Sequence, residues 1–302
     1  MTVIQFVGLG TMGAPMVGRL VDAGHRVYVY DVDAEASRQV ADQSGAVHTA
    51  DPRTSSDADV LILMLPNSDI VSTALGDSAD PASLVRSRRA GTIVVDMGSS
   101  RPDTTKRNAE TLAALGLELV DAPVSGGPVK AAAGELTIMV GTSDETMYDR
   151  VLPVLQSMGS AVQRTGPVGS AHALKALNNL LSVIGLVGGL EVLSVGTKFG
   201  LEPQLMLDVI NRSTGRNHAT EVKIGPQVLT HNWNVGFPLA LTLKDVHTAL
   251  ALAASEGIDI PVSSAAVAIA QEALDALGTT APDQSQIGEY LEKRNGVRFD
   301  GR

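Results

Sequence analysis

The sequence has no cysteine, a single tryptophan and only 3% aromatic residues, and its acidic side chains outnumber the basic ones by 33 to 23. Each shortage closes off some chemistry. Without cysteine there are no disulfides, no thiolate nucleophile and no cysteine-built zinc site, and a reducing cytoplasm is the expected compartment. A formal charge of −10 repels polyanions, so nucleic acid is not an expected partner, although a local basic patch can still hold a small anion. His218, His231 and His247 have no spacing suited to ligating a metal, and no metal is expected. A membrane span is missing too: the uncharged run Ala176 to Leu190 covers fifteen residues with two Asn inside, short of the ~20 that a bilayer requires. The opening MTVIQFVGLG enters a strand pattern at once, without the basic start and long apolar core of a signal peptide.

What is present is ordinary for a globular chain: 302 residues, 44% hydrophobic, 30 of them glycine. That length exceeds one usual core and implies two domains, 1–165 and 166–302. In the first, Thr2 to Val7 reads as a strand that stops at Gly8, and Gly8-Leu9-Gly10-Thr11-Met12-Gly13 leads into a helix ending near Gly24. The three glycines have separate tasks: Gly8 for the tight turn, Gly10 for close approach of a pyrophosphate, and Gly13 for packing helix on strand. A second strand, Arg26 to Tyr30, ends at Asp31, which follows Gly13 by 18 residues and is placed to accept hydrogen bonds from an adenosine ribose. That carboxylate would repel a 2′-phosphate, so NAD is expected over NADP, with Arg38 the nearest alternative partner for such a phosphate.

Strand and helix continue to alternate. Asp59 to Leu65 is a buried strand broken at Pro66-Asn67, and Thr92 to Asp96 is another, followed by Gly98-Ser99-Ser100 and a helix from about Pro102. Continuous apolar runs separated by helices predict a mostly parallel, doubly wound sheet of Rossmann type. Ligands bind such sheets at the carboxyl ends of the strands, which places Leu65, Pro66, Asn67 and Ser99 on the cofactor edge, each also readable as a turn or cap residue. Leu117 to Asp121 opens one more strand, and the Ser125-Gly126-Gly127 that follows offers a hydroxyl and unobstructed N–H groups to an anion, or a hairpin-like link to the strand at 135–141.

Past Thr165 the strand signals nearly vanish, and an all-helical second domain is expected. Its first helix, Gly169 to Phe199, is roughly 45 Å long at 1.5 Å per residue and joins the domains. Almost everything on it is apolar or small, yet His172, Lys175, Asn178 and Asn179 crowd into eight residues at spacings of three or four. Such spacing puts side chains on one face, where they can converge. A lysine dried by apolar surroundings is a common general acid or base. Arg216, in the polar turn Ser213 to Asn217, can reach an acidic substrate group or lie on the surface, and Trp233 reads as packing.

Four segments together resemble the β-hydroxyacid dehydrogenases, a family that includes 3-hydroxyisobutyrate dehydrogenase and tartronate semialdehyde reductase: GLGTMGAPM at 8–16, DAPVSGG at 121–127, GPVGSAHALKALNN at 166–179 and FPLALTLKD at 237–245. The resemblance spans nearly the whole chain. It implies that Lys175 is the catalytic acid/base, that Asn179 one turn later helps hold the substrate, and that Ser125, Gly126 and Gly127 bind the substrate carboxylate. It also implies that Lys244, beside Asp245, lies in an interdomain cleft near cofactor and substrate. The chain departs from the common pattern at Gly98-Ser99, where relatives often have Ser-Thr.

The expected activity is reversible oxidation of a short 3-hydroxy acid by a cytoplasmic homodimer or homotetramer using NAD. A 6-phosphogluconate dehydrogenase would be expected to have a longer C-terminal part. Imine reductases share the architecture but usually lack the lysine. A non-catalytic cofactor-binding relative and a reductase for sulfonated or dicarboxylic semialdehydes share the resemblance as well.

Overall fold

A computed structural model of the chain describes residues 1–55, 57–76, 83–86, 88–278 and 281–300. It divides into two compact units, Met1–Lys175 and Ala176–Arg302.

The first unit is built on β1 (Val3–Val7), α1 (Gly13–Asp22), β2 (Arg26–Tyr30), α2 (Ala34–Ser44), β3 (Val47–His48), β4 (Val60–Leu63), α3 (Ser68–Leu75), β5 (Ile93–Asp96), α4 (Pro102–Ala113) and β6 (Glu118–Asp121). The strands β3-β2-β1-β4-β5-β6 lie side by side in that order, and each neighbouring pair is parallel. This is the order of a dinucleotide-binding sheet, whose direction of growth reverses beside β1. The sheet is completed by β7 (Val124–Ser125), α5 (Gly127–Ala133), β8 (Thr137–Gly141), α6 (Glu145–Gln156) and β9 (Ala161–Gly166), with β8 antiparallel to β6 and β7 and parallel to β9.

Successive strand residues point to opposite faces, and the core follows that rule. Ile4, Phe6, Ile62, Ile93, Val95 and Val120 pack with α1, α2 and α6, whereas Val7, Leu61, Leu63, Val94 and Leu119 pack with α3 and α4. Both faces are therefore covered, as the unbroken apolar runs predict. Caps fix the helix starts: Asp33 accepts from Glu35 and Ala36 before α2, Asn67 from Ile70 before α3, and Asp144 from Thr146 and Met147 before α6.

The second unit contains most of α7 (Ser170–Phe199), then α8 (Pro203–Asn211), a π-helix (Thr220–Leu229), α9 (Leu239–Ser255), α10 (Pro261–Leu277) and, after a 3₁₀ turn, α11 (Ile287–Asn295). Val183, Leu186, Val187, Leu190 and Leu193 of α7 form the spine of its core, with Ile224, Val228, Leu243, Val246 and Ala270 against them. Among the described residues α7 alone has the length and composition to cross a membrane, which the fifteen-residue uncharged run did not suggest, but 44% of its most apolar window is buried, as in a core helix. Within this half, which was expected to be all-helical, Thr220–Leu229 takes the wider π geometry, with Pro226 inside it.

Candidate active site

The glycine loop follows β1 directly. Gly8 has φ +99°, and a Cβ there would lie 2.3 Å from the Met64 carbonyl oxygen; a Cβ on Gly13 would lie 2.0 Å from the Gly8 carbonyl oxygen. Both positions exclude a side chain for internal reasons. Gly10 differs, because a Cβ there would meet nothing within 4 Å. Space is left at the point where a diphosphate would approach the backbone. Gly10 and Thr11 are exposed, while Leu9 is buried and Met12 packs against the core, so these last two could offer a ligand only their backbone.

Asp31 closes the loop from the end of β2. Its Oδ2 accepts from the Leu9 N–H at 2.7 Å and its Oδ1 from the Asp33 N–H at 2.9 Å. A carboxylate has about four acceptor sites, so two remain for a ribose diol. Arg38 is paired with Glu35 at 3.0 Å. At the end of β4, Leu65 packs on the core, Pro66 is exposed and the Asn67 side chain caps α3 through the Ile70 N–H at 2.9 Å. Ser99 is half-buried after β5. An open glycine, a strand-end acid with spare acceptors and an exposed loop fit a bound dinucleotide.

Ser125, Gly126 and Gly127 link β7 to α5. Gly126 and Gly127 have φ of +139° and +71°, a region that L side chains rarely adopt. Ser125 is half-buried, and a Cβ on Gly127 would meet nothing within 4 Å. At Gly126, by contrast, a Cβ would lie 2.9 Å from the Lys130 side chain.

The start of α7 is tied to the same edge of the sheet. Asp121, fully buried at the end of β6, accepts from the Gly169 N–H (Oδ1, 2.7 Å) and the His172 N–H (Oδ2, 3.0 Å). Burial pushes the Asp121 carboxyl above its ordinary range, against the opposing charge interaction with His172. Lys175 follows His172 by one turn and is half-buried. The four polar residues expected to converge do not all do so. His172 is fully buried with its Nδ1 on the Thr105 hydroxyl at 2.8 Å, because the first turn is held against β6 and α4. Asn178 is exposed and donates to the Asn179 Oδ1 at 3.3 Å.

In the second unit Asn179 Nδ2 donates to Asp245 Oδ2 at 2.7 Å, and Lys244 Nζ pairs with Asp245 Oδ1 at 3.2 Å. The buried Asp245 thus orients the amide and neutralises one lysine. Arg216 is exposed and faces Glu221 at 3.6 Å. Reading the residues singly misses Asp121, Thr105 and Asp245; the strand-end position of Asp121 and the Lys-Asp pair were the available signals. Among the described residues no group of His, Asp and Glu suits a metal. Trp233 stacks on His231, ring centres 5.1 Å apart, against the core of the second unit.

Comparison with known proteins agrees with this geometry in both halves. Residues 3–166 match the model for the NAD-binding domain of 6-phosphogluconate dehydrogenase, and residues 169–291 that for the NAD-binding part of NADP-dependent 3-hydroxyisobutyrate dehydrogenase. The chain is 34% identical to 2-(hydroxymethyl)glutarate dehydrogenase of Eubacterium barkeri, over 99% of this chain and 97% of that one. It is 36% identical to 3-hydroxyisobutyrate dehydrogenase of Pseudomonas aeruginosa, over 88% and 90%. The Mycobacterium tuberculosis 3-hydroxyisobutyrate dehydrogenase with L-serine superposes with a TM-score of 0.86 at 31% identity, covering 96% of this chain and 99% of that one. With its nucleotide-binding sheet and its helical half both matched, the chain belongs to the β-hydroxyacid dehydrogenase family and is an NAD-binding oxidoreductase.

Proposed function

We propose that the chain interconverts a short 3-hydroxy acid and its semialdehyde, with Lys175 as general acid/base. Bound NAD(P) supplies the hydride acceptor or donor. In the oxidative direction Lys175, unprotonated, takes the hydroxyl proton as the carbinol carbon gives up its hydride; in reduction its ammonium returns that proton. The Ser125 hydroxyl and the N–H groups of Gly126 and Gly127 hold the substrate carboxylate and fix the reacting carbon. Asn179, oriented by Asp245, steadies the substrate, and Lys244 assists cofactor and substrate from α9. Asp31 favours NAD over NADP, since a second negative charge beside it would be repelled.

One observation carries this reading: hydrogen bonds from Gly169 and His172 to Asp121 hold the helix bearing Lys175 at the strand-end edge that also presents the glycine loop and Asp31. The test is a panel of 3-hydroxyisobutyrate, L-serine and 2-(hydroxymethyl)glutarate with NAD and NADP side by side, on the parent and Lys175→Ala. The variant is expected to keep NADH affinity and to lose about 10²–10⁴-fold in turnover; near-parental turnover would remove the lysine from the mechanism. The Eubacterium barkeri relative favours a second reading, a dicarboxylic substrate whose far carboxylate meets Arg216. A rise in KM confined to the dicarboxylate in Arg216→Ala supports it.

The cytoplasm is the proposed compartment, and self-association is proposed as well. Leu174, Leu177, Leu181, Val192, Val195 and Phe199 form an exposed apolar stripe along α7 at spacings of three and four, with Gly185 and Gly188 in the gap. Surfaces of this kind usually mark a partner.

A further inference from the structure

The polar groups around the start of α7 are costly to keep. Asp96 and Asp121 stand opposite each other in register at the ends of β5 and β6, 1% and 0% exposed, and His172 lies 3.9 Å from a carboxylate oxygen of each. Two buried acids at adjacent strand ends cost free energy unless each oxygen is engaged. Here each is engaged. Asp96 accepts from the Gly98 N–H at 3.0 Å and the Ser100 hydroxyl at 2.7 Å, and both Asp121 oxygens accept from α7's first turn.

The imidazole orientation follows from its neighbour. The Thr105 hydroxyl lies 3.0 Å from the Arg101 carbonyl oxygen and 2.8 Å from His172 Nδ1, so it fixes the ring against α4. His172 Nε2 has no hydrogen-bond partner among the described residues. Room for the clamp is built into the sheet: Gly141, paired with Asp121 across β6 and β8, would put a Cβ 2.2 Å from Asp121 Oδ1. Gly169, at φ +91°, supplies the first N–H in a conformation a side chain resists. Three elements remote in sequence are thus arranged around one turn of helix, and Lys175 follows one turn further along it.

We propose that Asp121 is a positioning residue for Lys175, with His172 and Thr105 as its second anchor: the carboxylate sets the axial height of α7's first turn and so the place of the amine. The inference rests on Lys175 being the general acid/base. A slide of about 1 Å in a reacting group costs on the order of 10²-fold in rate. An ordinary helix cap, by contrast, would affect melting and leave kcat intact once the protein is folded.

The experiment compares parent, Asp121→Ala, Asp121→Asn, Thr105→Val and Lys175→Ala by thermal melting, NADH titration, and kcat and KM with whichever panel substrate the parent turns over fastest. Asp121→Asn keeps one acceptor oxygen. Folded Asp121→Ala is expected to bind NADH within about threefold of parent and to lose about 10- to 100-fold in kcat with KM little changed. Asp121→Asn recovers a large part of that loss, and Thr105→Val loses about three- to tenfold in kcat. Parental kcat in folded Asp121→Ala, with Lys175→Ala inactive, overturns the positioning role and leaves the lysine mechanism standing. If Asp121→Ala does not fold, parental kcat in both Asp121→Asn and Thr105→Val overturns it equally. Near-parental turnover in Lys175→Ala overturns the reading underneath.

Discussion

Gly10 and Gly13 are three positions apart and are glycine for opposite reasons. At Gly13 a methyl group would collide with the Gly8 carbonyl at 2.0 Å, while at Gly10 it would enter open space. Gly13→Ala is therefore expected to destabilise the fold by about 3 kcal/mol or more, read as a drop in urea midpoint. Gly10→Ala should melt within about 1 kcal/mol of parent yet weaken NADH binding at least about tenfold, read by fluorescence titration. Asp121 adds a pH effect. Its carboxyl is held above the ordinary value of 3.8 by burial, so its contribution to stability is fully present below that ordinary value and is lost as pH rises through the raised one. Melting of Asp121→Asn relative to parent should thus improve as pH climbs through the weakly acidic range; an unchanged or opposite difference would contradict the assignment. The glycine turn and Asp31 were legible in the sequence because their spacing is local. The clamp was not, since Asp121 and His172 are separated by 51 positions and only the sheet brings them together.

At the scale of elements, the extent of α7 was legible because no proline interrupts its 30 residues and an apolar spine recurs along it. The π-helix at Thr220–Leu229 was not, because Gly225-Pro226 signals a disturbed helix without specifying that the wider turn results. It carries Lys223, 7% exposed, with Nζ donating to Ser182 Oγ at 2.9 Å and Gln284 Oε1 at 3.1 Å. Burial lowers this lysine from its ordinary 10.5. A depressed amine contributes its full stability above the ordinary value and loses it as pH falls through the folded one. The parent should accordingly gain stability on going from neutral pH toward 10, and Lys223→Met should lack that gain. Parallel pH slopes for the two proteins would show that the amine is not desolvated.

For the molecule as a whole, the doubly wound sheet was predictable because apolar strands alternating with helices permit few other arrangements. The placement of β7, β8 and β9 was not, since only pairing geometry decides that β8 runs antiparallel between β6 and β7. The exposed stripe on α7 belongs to this scale. Val195→Glu with Phe199→Glu is expected to lower the molar mass measured by light scattering to that of one chain, 31.3 kDa, without changing the melting of the fold; an unaltered assembly would place the contact elsewhere. The boundary between the two units falls between Lys175 and Ala176, inside an unbroken rod of backbone hydrogen bonds. A protease given brief access finds no slack peptide at that junction. First cuts will fall in other places, and the halves will stay on one covalent strand until α7 itself melts.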